Sequence, residues 1–62
     1  MTLQDFIALR HGKTDIDVVQ GGTIVVKIKY DAQDDEFSEE ITQAQVEYYT
    51  AVDYRTIEVG IE

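Results

Sequence analysis

Residues 14–30, TDIDVVQGGTIVVKIKY, decide the fold of this chain, because two β-rich runs flank a pair of glycines. Runs of β-branched residues on both sides of two consecutive glycines are typical of a β-hairpin. The sequence therefore predicts two antiparallel strands joined by a short turn at Gly21 and Gly22.

The length of this turn fixes which side chains the hairpin buries. A two-residue loop pairs Gln20 with Thr23 and puts two aspartates on the apolar face, whereas a three-residue loop, residues 21–23, pairs Gln20 with Ile24. A one-residue slip exchanges the two faces of a strand, and opposite charges pair favourably across strands. We therefore predict the three-residue loop, because it opposes each aspartate with a lysine. The predicted inner face is Ile16, Val18, Ile24, Val26 and Ile28, and the predicted charge pairs are Asp17 with Lys27 and Asp15 with Lys29.

The residues before the hairpin carry the signals of a short helix. Thr2 and Asp5 have the spacing of an N-terminal capping pair. Leu3 and Phe6 share one face at helical spacing, and Gly12 suits the left-handed residue that ends a helix. The sequence predicts a first helix of about ten residues.

After the hairpin, residues 41–46, ITQAQV, have the features of a second helix start. Thr42 and Gln45 have the spacing of a capping box. An earlier start at Ser38 is also open, since acidic residues in a first turn favour the helix dipole. In a helix that runs as far as Val52, one face carries Ile41, Ala44, Tyr48 and Val52.

The chain closes with residues 55–62, RTIEVGIE, in which apolar and polar side chains alternate. This alternation predicts a third strand with Ile57, Val59 and Ile61 pointing inward. The order is then α-β-β-α-β, which favours an α+β fold. We expect a three-stranded antiparallel sheet with the helices packed on one face, in a single small domain that spans residues 1–62.

The opening residues and this order of elements carry a resemblance. MTLQDFI at residues 1–7, the short hairpin, the acidic middle and the alternating last strand resemble small uncharacterised acidic proteins encoded by phages and integrative elements of Gram-positive bacteria. The Gly21-Gly22 turn is shorter than the Asp/Asn-rich turn of that group. The resemblance implies a mobile-element setting, in which small acidic proteins block host defence enzymes, and it implies no catalytic residue.

The distribution of charge limits the function of the protein. The net charge is −8, and residues 31–54 hold eight of the 13 acidic residues and no Lys or Arg. Such a field repels nucleic acid and anionic lipid and favours cationic partners. No apolar stretch approaches the roughly 20 residues of a membrane span. We therefore expect a cytoplasmic protein that contacts neither nucleic acid nor membrane directly.

The acidic segment does not fit an EF-hand loop. Counted from Asp31, the sixth position holds Glu36 where the loop needs glycine, and the twelfth holds Thr42 where it needs a bidentate Glu. Weak Ca²⁺ association with residues 31–36 stays open. The only serine is Ser38, the only histidine is His11, and there is no cysteine. We expect no catalytic residue, no metal site and no cofactor, and therefore no enzyme activity.

Two interpretations of the acidic segment remain: the carboxylates keep a small protein soluble, or they form a binding surface. Carboxylates three or four positions apart on a helix lie ~5–6 Å apart, which is comparable to the spacing of phosphates along a DNA strand that rises ~3.4 Å per nucleotide. Our first hypothesis is a non-enzymatic nucleic-acid mimic of the anti-CRISPR or anti-restriction type, which occupies a basic groove of a host defence or DNA-handling protein. The predicted partner-binding residues are Asp34, Asp35, Glu36, Glu39, Glu40, Glu47, Tyr49 and Tyr54.

The alternative hypothesis is a self-associating accessory protein. An exposed edge of the sheet would pair with the same edge of a second copy and form a homodimer. The acidic segment would then serve solubility only.

Overall fold

The computed structural model describes residues 1–9, 12–31 and 38–62. Its elements are α1 (Leu3–Leu9), β1 (Asp15–Gln20), β2 (Thr23–Ile28), α2 (Glu39–Thr42), β3 (Val46–Asp53) and β4 (Thr56–Ile61). The predicted α+β class is confirmed, but the sheet has four strands in the order β2-β1-β4-β3. Two antiparallel hairpins, β1–β2 and β3–β4, meet where β1 and β4 run parallel. The predicted three-stranded antiparallel sheet is therefore wrong.

The predicted second helix is a single turn. Ser38 is its N-cap, and the Oγ of Ser38 accepts a hydrogen bond from the N–H of Ile41 at 3.4 Å. Thr42 ends this helix, and its hydroxyl donates to the carbonyl of Glu39 at 3.1 Å. The earlier start at Ser38 is confirmed, and the capping box at Thr42 is wrong.

The residues that follow form β3 and not the rest of a helix. Residues 46–52, VEYYTAV, are rich in β-branched and aromatic side chains, which fit a pleated strand better than a helix. Strand β3 also supplies the second neighbour of the central strand β4. The apolar spacing of Ile41, Ala44, Tyr48 and Val52 matched a helical face by coincidence, and pairing with β4 decides the conformation.

The turn of the first hairpin has two residues, so the predicted three-residue loop is wrong. Gly21 and Gly22 have φ angles of 62° and 81°, and Gln20 pairs with Thr23. Positive φ at both central positions is typical of the type I′ turn, whose twist matches that of the flanking strands.

A β-bulge in β2 restores most of the predicted register. Val19 pairs with Ile24 and Val18 with Val26, so Val25 is the extra residue. Ile24 consequently leaves the inner face and is 47% exposed, which corrects its predicted place in the core. Beyond the bulge both predicted charge pairs are confirmed: Asp17 lies opposite Lys27, and Asp15 forms an ion pair with Lys29 at 3.7 Å.

Helix α1 begins with the predicted capping pair. The Oγ1 of Thr2 accepts from the N–H of Asp5, and a carboxylate oxygen of Asp5 accepts from the N–H of Thr2, both at 3.2 Å. Gly12 has a φ of 61°, as predicted for a residue that follows a helix. Arg10 and His11 lie outside the described residues.

The core lies between the helices and one face of the sheet. Inward-pointing residues of β1 and β4 alternate with outward-pointing ones, and Leu3 of α1 packs against them. The opposite face, which we call the open face, carries Asp17, Glu58 and Gly60 and has no helix from the described part of the chain upon it. The buried core residues are Leu3, Ile16, Val18, Ile28, Val59 and Ile61.

The first residues of the chain run along the outer side of the start of β3. The N–H of Val46 donates to the carbonyl of Met1, and the N–H of Leu3 donates to the carbonyl of Ala44, both at 2.9 Å. Thr2 and Gln45 form an antiparallel bridge between them. This side of β3 is therefore covered at its beginning.

Candidate partner-binding surface

Strand β3 and the turn after it form the longest exposed stretch of the described residues, and every residue from 47 to 55 is exposed. Its large side chains are unusually open: Tyr54 is 93%, Tyr49 66% and Val52 56% exposed. Single exposed apolar residues are normal on a protein surface, but a group of them on one edge indicates an interaction site. We call this group the β3 edge surface; it consists of Glu47, Tyr49, Thr50, Val52, Asp53 and Tyr54.

The structure distributes the predicted partner-binding residues over two elements. Glu39 and Glu40 lie exposed in the single turn of α2, whereas Glu47 lies in β3, where the pairing with β4 shifts register. The predicted placement of Glu39, Glu40 and Glu47 along one helix is therefore wrong, because α2 ends at Thr42 and does not reach Glu47. Tyr49 and Tyr54 both belong to the β3 edge surface. Three predicted residues, Asp34, Asp35 and Glu36, lie outside the described residues.

Tyr49 is exposed, yet its ring is held from one side. It points toward the helix side of the sheet, and its ring centroid lies 5.2 Å from that of Phe6, with a 51° angle between the ring planes. A tilted aromatic pair at this distance is favourable and limits the rotamers of both rings. The exposed ring of Tyr49 is therefore partly ordered, and an ordered side chain loses less entropy in any contact than a freely rotating one.

The turn between β3 and β4 is stabilised by Asp53. A carboxylate oxygen of Asp53 accepts a hydrogen bond from the N–H of Arg55 at 2.9 Å, which is the geometry of an Asx turn. This bond lowers the pKa of Asp53, with smaller contributions from hydrogen bonds to Thr56 and from the charge of Arg55. Asp53 thus carries a fixed negative charge at one end of the edge.

Tyr48 points to the open face, the opposite side from Tyr49. Its ring lies over Gly60 so closely that a Cβ at that position would overlap it. Its hydroxyl donates to a carboxylate oxygen of Glu58 at 2.9 Å. This hydrogen bond, followed by partial loss of water contact and the charges of Glu58 and Glu47, raises the pKa of Tyr48. The phenol is therefore held in its protonated, hydrogen-donating form.

Acidic and basic side chains form a row across the open face. Glu58 lies beside Asp17 in the parallel pair, and Asp17 lies opposite Lys27 in the first hairpin. Neighbouring strands are ~4.8 Å apart, so the two carboxylates repel each other, and Lys27 and the hydroxyl of Tyr48 offset that repulsion from the two sides.

Sequence reasoning missed the open-face group and the place of Val52 and Asp53. Tyr48 was expected on one helix face with Ile41, Ala44 and Val52, and it lies instead in β3, where it is 43% exposed. Its position follows only from the pairing of β3 with β4, in which Tyr48 lies opposite Gly60. The available signal was the run of β-branched and aromatic residues from Val46 onward.

Three findings bear on what this surface could bind. Within residues 1–9, 12–31 and 38–62, no three His, Cys, Asp or Glu side chains are grouped to hold a metal ion. No helix in the described part of the chain is long and apolar enough to cross a membrane. No protein-family model, curated protein or solved structure matches this chain.

Proposed function

We propose that this protein is a non-enzymatic interaction protein that binds a basic surface of another protein through the β3 edge surface. The observation that supports this proposal is the joint exposure of two tyrosines and a valine on one sheet edge that also carries Glu47 and Asp53. Aromatic side chains provide much of the energy of protein interfaces. Carboxylates around them select a cationic partner and accelerate association.

In its most specific form, the proposal is that the partner is a nucleic-acid-handling protein of a host and that binding blocks its basic groove. The net charge of −8 supports this form, because a strongly acidic protein is attracted to the positive potential that such grooves present. The carboxylates would come from α2 and β3 together, since they do not share one helix. The mobile-element setting implied by the resemblance remains part of this proposal.

A competition assay tests this function. The protein is added to complexes of labelled DNA with a restriction endonuclease, a CRISPR effector nuclease and a sequence-independent DNA-binding protein, and the displaced DNA is measured by fluorescence anisotropy. We expect displacement from at least one of them, with a midpoint concentration that rises between 50 and 200 mM salt, because charge pairs at a surface are screened.

Two variants of equal net charge distinguish the effect of the carboxylates in α2 and β3 from the effect of net charge alone. The first carries Glu39→Gln, Glu40→Gln, Glu47→Gln and Asp53→Asn, and it should weaken displacement by about tenfold or more, the loss of about 1.4 kcal/mol of binding free energy. The matched control neutralises four carboxylates elsewhere and should stay within about threefold of the wild type. Absence of displacement in all three systems, or equal losses in the two variants, would contradict the nucleic-acid-groove form of the proposal. The control carries Asp17→Asn, Asp31→Asn, Glu58→Gln and Glu62→Gln.

Self-association is the second candidate function, and the edge strand β2 favours it. Ile24 is 47% and Val25 42% exposed there, and no acidic residue lies within β2. An exposed apolar edge is a template for pairing with another strand. Sedimentation equilibrium at micromolar concentration tests this candidate: a monomer would exclude it, and a dimer that Val25→Lys dissociates would support it.

A further inference from the structure

The outer side of β3 offers a limited length of backbone for pairing. β3 is the last strand of the sheet, and alternate N–H and C=O groups of an edge strand point away from its neighbour. Residues 1–3 cover the outer side at Gln45 and Val46. Beyond this point, no other element of the described chain pairs with β3. An additional strand could therefore lie alongside residues 47–53 and would have to stop where residues 1–3 begin.

The two ends of this open stretch are acidic and its middle is uncharged. Glu47 and Asp53 stand six positions apart, which is roughly 20 Å along a strand at ~3.3 Å per residue. Between them lie two tyrosines, a threonine, an alanine and a valine. The pairing with β4 shifts register at Glu47 and at Val52, which leaves residues 48–51 as a regular run. The edge thus presents an uncharged strand with a negative charge at each end.

A second copy of this chain matches that pattern poorly. Antiparallel pairing of β3 with the same strand of another copy, centred on Thr50, places Glu47 opposite Asp53 at both ends. Like charges directly opposite each other destabilise a strand pair. In β2 of a second copy, the lysine Lys27 could oppose only one of the two acids, because β2 contains no other basic residue.

We propose that the β3 edge binds an extended segment of a basic partner protein by strand addition. In this segment, two Lys or Arg residues about six positions apart flank uncharged β-branched or apolar residues. This inference rests on the proposed function and specifies its partner. The backbone hydrogen bonds supply affinity, and the two basic side chains set register by meeting Glu47 and Asp53. Tyr49, steadied by the ring of Phe6, packs against the uncharged middle of the segment.

Synthetic peptides test the spacing of charges. The probe is Lys-Val-Thr-Ile-Thr-Val-Lys with Gly-Ser extensions, and the matched control, Val-Thr-Lys-Lys-Ile-Thr-Val, has the same composition with adjacent lysines. We expect the probe to bind at least about tenfold more tightly than the control, because only the probe meets both acids. The same probe with alternate N-methylated amides on the edge that faces β3 should lose binding, because N-methylation removes the donors of the ladder.

Two protein variants of equal net charge locate the site. Glu47→Gln with Asp53→Asn should weaken probe binding by about tenfold, whereas Asp31→Asn with Glu62→Gln, outside the β3 edge surface, should change it less than twofold. Asn at position 53 keeps the side-chain oxygen of the Asx turn, and circular dichroism verifies that both variants fold. Amide hydrogen exchange should slow within residues 48–52 when the probe binds.

The outcomes divide clearly between this inference and the proposed function. Equal binding of the two peptides, no binding of the probe, or equal losses in the two variants would overturn strand addition. If the probe fails while the protein still displaces DNA from its binding proteins, the proposed function stands and only its mode is wrong. If the probe binds but no DNA is displaced, the nucleic-acid-groove form of the function is wrong. A dimer that Thr50→Pro in β3 dissociates would mean that a second copy occupies the edge.

Discussion

The hairpins β1–β2 and β3–β4 each join one central strand to one edge strand, but they reach this arrangement differently. The first turns through two glycines with positive φ and has its bulge in the edge strand. The second turns through Tyr54 and Arg55, and no described residue other than glycine has a positive φ. The second hairpin instead has a register shift at Val52, next to its turn, and a bulge of this kind increases the local twist of a strand.

The difference shows that the conformation of a strand can be determined by its own residues or by the strand that pairs with it. The first hairpin is specified locally, by its glycine pair and by the alternation of β1, where Ile16 and Val18 are fully buried. In the second hairpin, β3 buries almost nothing and is extended because β4 lies beside it. The first hairpin therefore supports the core, and the second presents a surface.

The largest test of this comparison is the removal of side-chain volume from each hairpin. Ile16→Ala should lower the free energy of unfolding by about 2–5 kcal/mol, because a buried isoleucine leaves a cavity. Val52→Ala on β3 should stay within about 0.5 kcal/mol. Urea denaturation measures both.

Ile16→Val is a milder variant for the case that Ile16→Ala does not fold. A chain of this size has a total stability of only about 3–9 kcal/mol, at 0.05–0.15 kcal/mol per residue. Its expected loss is about 0.5–1.5 kcal/mol. Similar losses at positions 16 and 52 would show that β3 contributes to the core as much as β1 does.

An intermediate effect is expected at the two turns. Gly21→Ala should cost about 1–2 kcal/mol, because an L-residue is strained at a φ of 62°. Tyr54→Ala, at a turn position that is 93% exposed, should change the free energy of unfolding by less than about 0.5 kcal/mol. Thermal and urea unfolding of the two variants measure the difference. A larger loss of unfolding free energy in Tyr54→Ala than in Gly21→Ala would show that the second turn, and not the first, depends on a particular residue.

The smallest effect concerns pH and the second turn. The pKa of Asp53 is lowered by folding, so its ionised form stabilises the fold at pH values above the unfolded value near 3.8. That contribution is lost as the pH falls through the lower, folded pKa. Between pH 6 and pH 3 the melting temperature of the wild type should fall more than that of Asp53→Asn.

Glu40→Gln is the control for this pH test, because it removes one carboxylate from α2, outside the hairpin. It should follow the wild type. If Asp53→Asn and Glu40→Gln lose the same amount of melting temperature on acidification, the hydrogen bond from Arg55 does not carry the effect.

The parts of the fold that depend on local signals could be predicted from the sequence. The cap of α1 at Thr2, the hairpin at Gly21 and Gly22, and the alternating strand β4 are all confirmed. The loop length was wrong by one residue, and the bulge at Val25 compensated for that error, because the charge pairs and the inner face fix the register of most of the hairpin.

The conformation of β3 could not be predicted from local spacing. Tyr48 and Val52 fit a helical face and a strand equally well in sequence, and only the unpaired side of β4 decides between them. The surface depends on the same decision. The sequence indicated Tyr49 and Tyr54 as partner-binding residues but not the strand that exposes them. The contact of Tyr48 with Gly60 requires a strand pairing that no spacing rule indicates.

The parallel pairing of β1 with β4 has a consequence for how the molecule holds together. Asp15 lies opposite Thr56 and Gln20 opposite Ile61, so each pair joins residues about 40 positions apart, whereas both hairpins are closed by neighbours in the chain. A two-stranded hairpin alone is marginally stable in water, and its closure is fast compared with the formation of long-range contacts. The pairing of β1 with β4 therefore joins two hairpins, each only marginally stable alone, into one cooperative unit. Loss of the pairing between β1 and β4 would unfold both hairpins in a single transition, and β3 would then lose the neighbouring strand that keeps it extended.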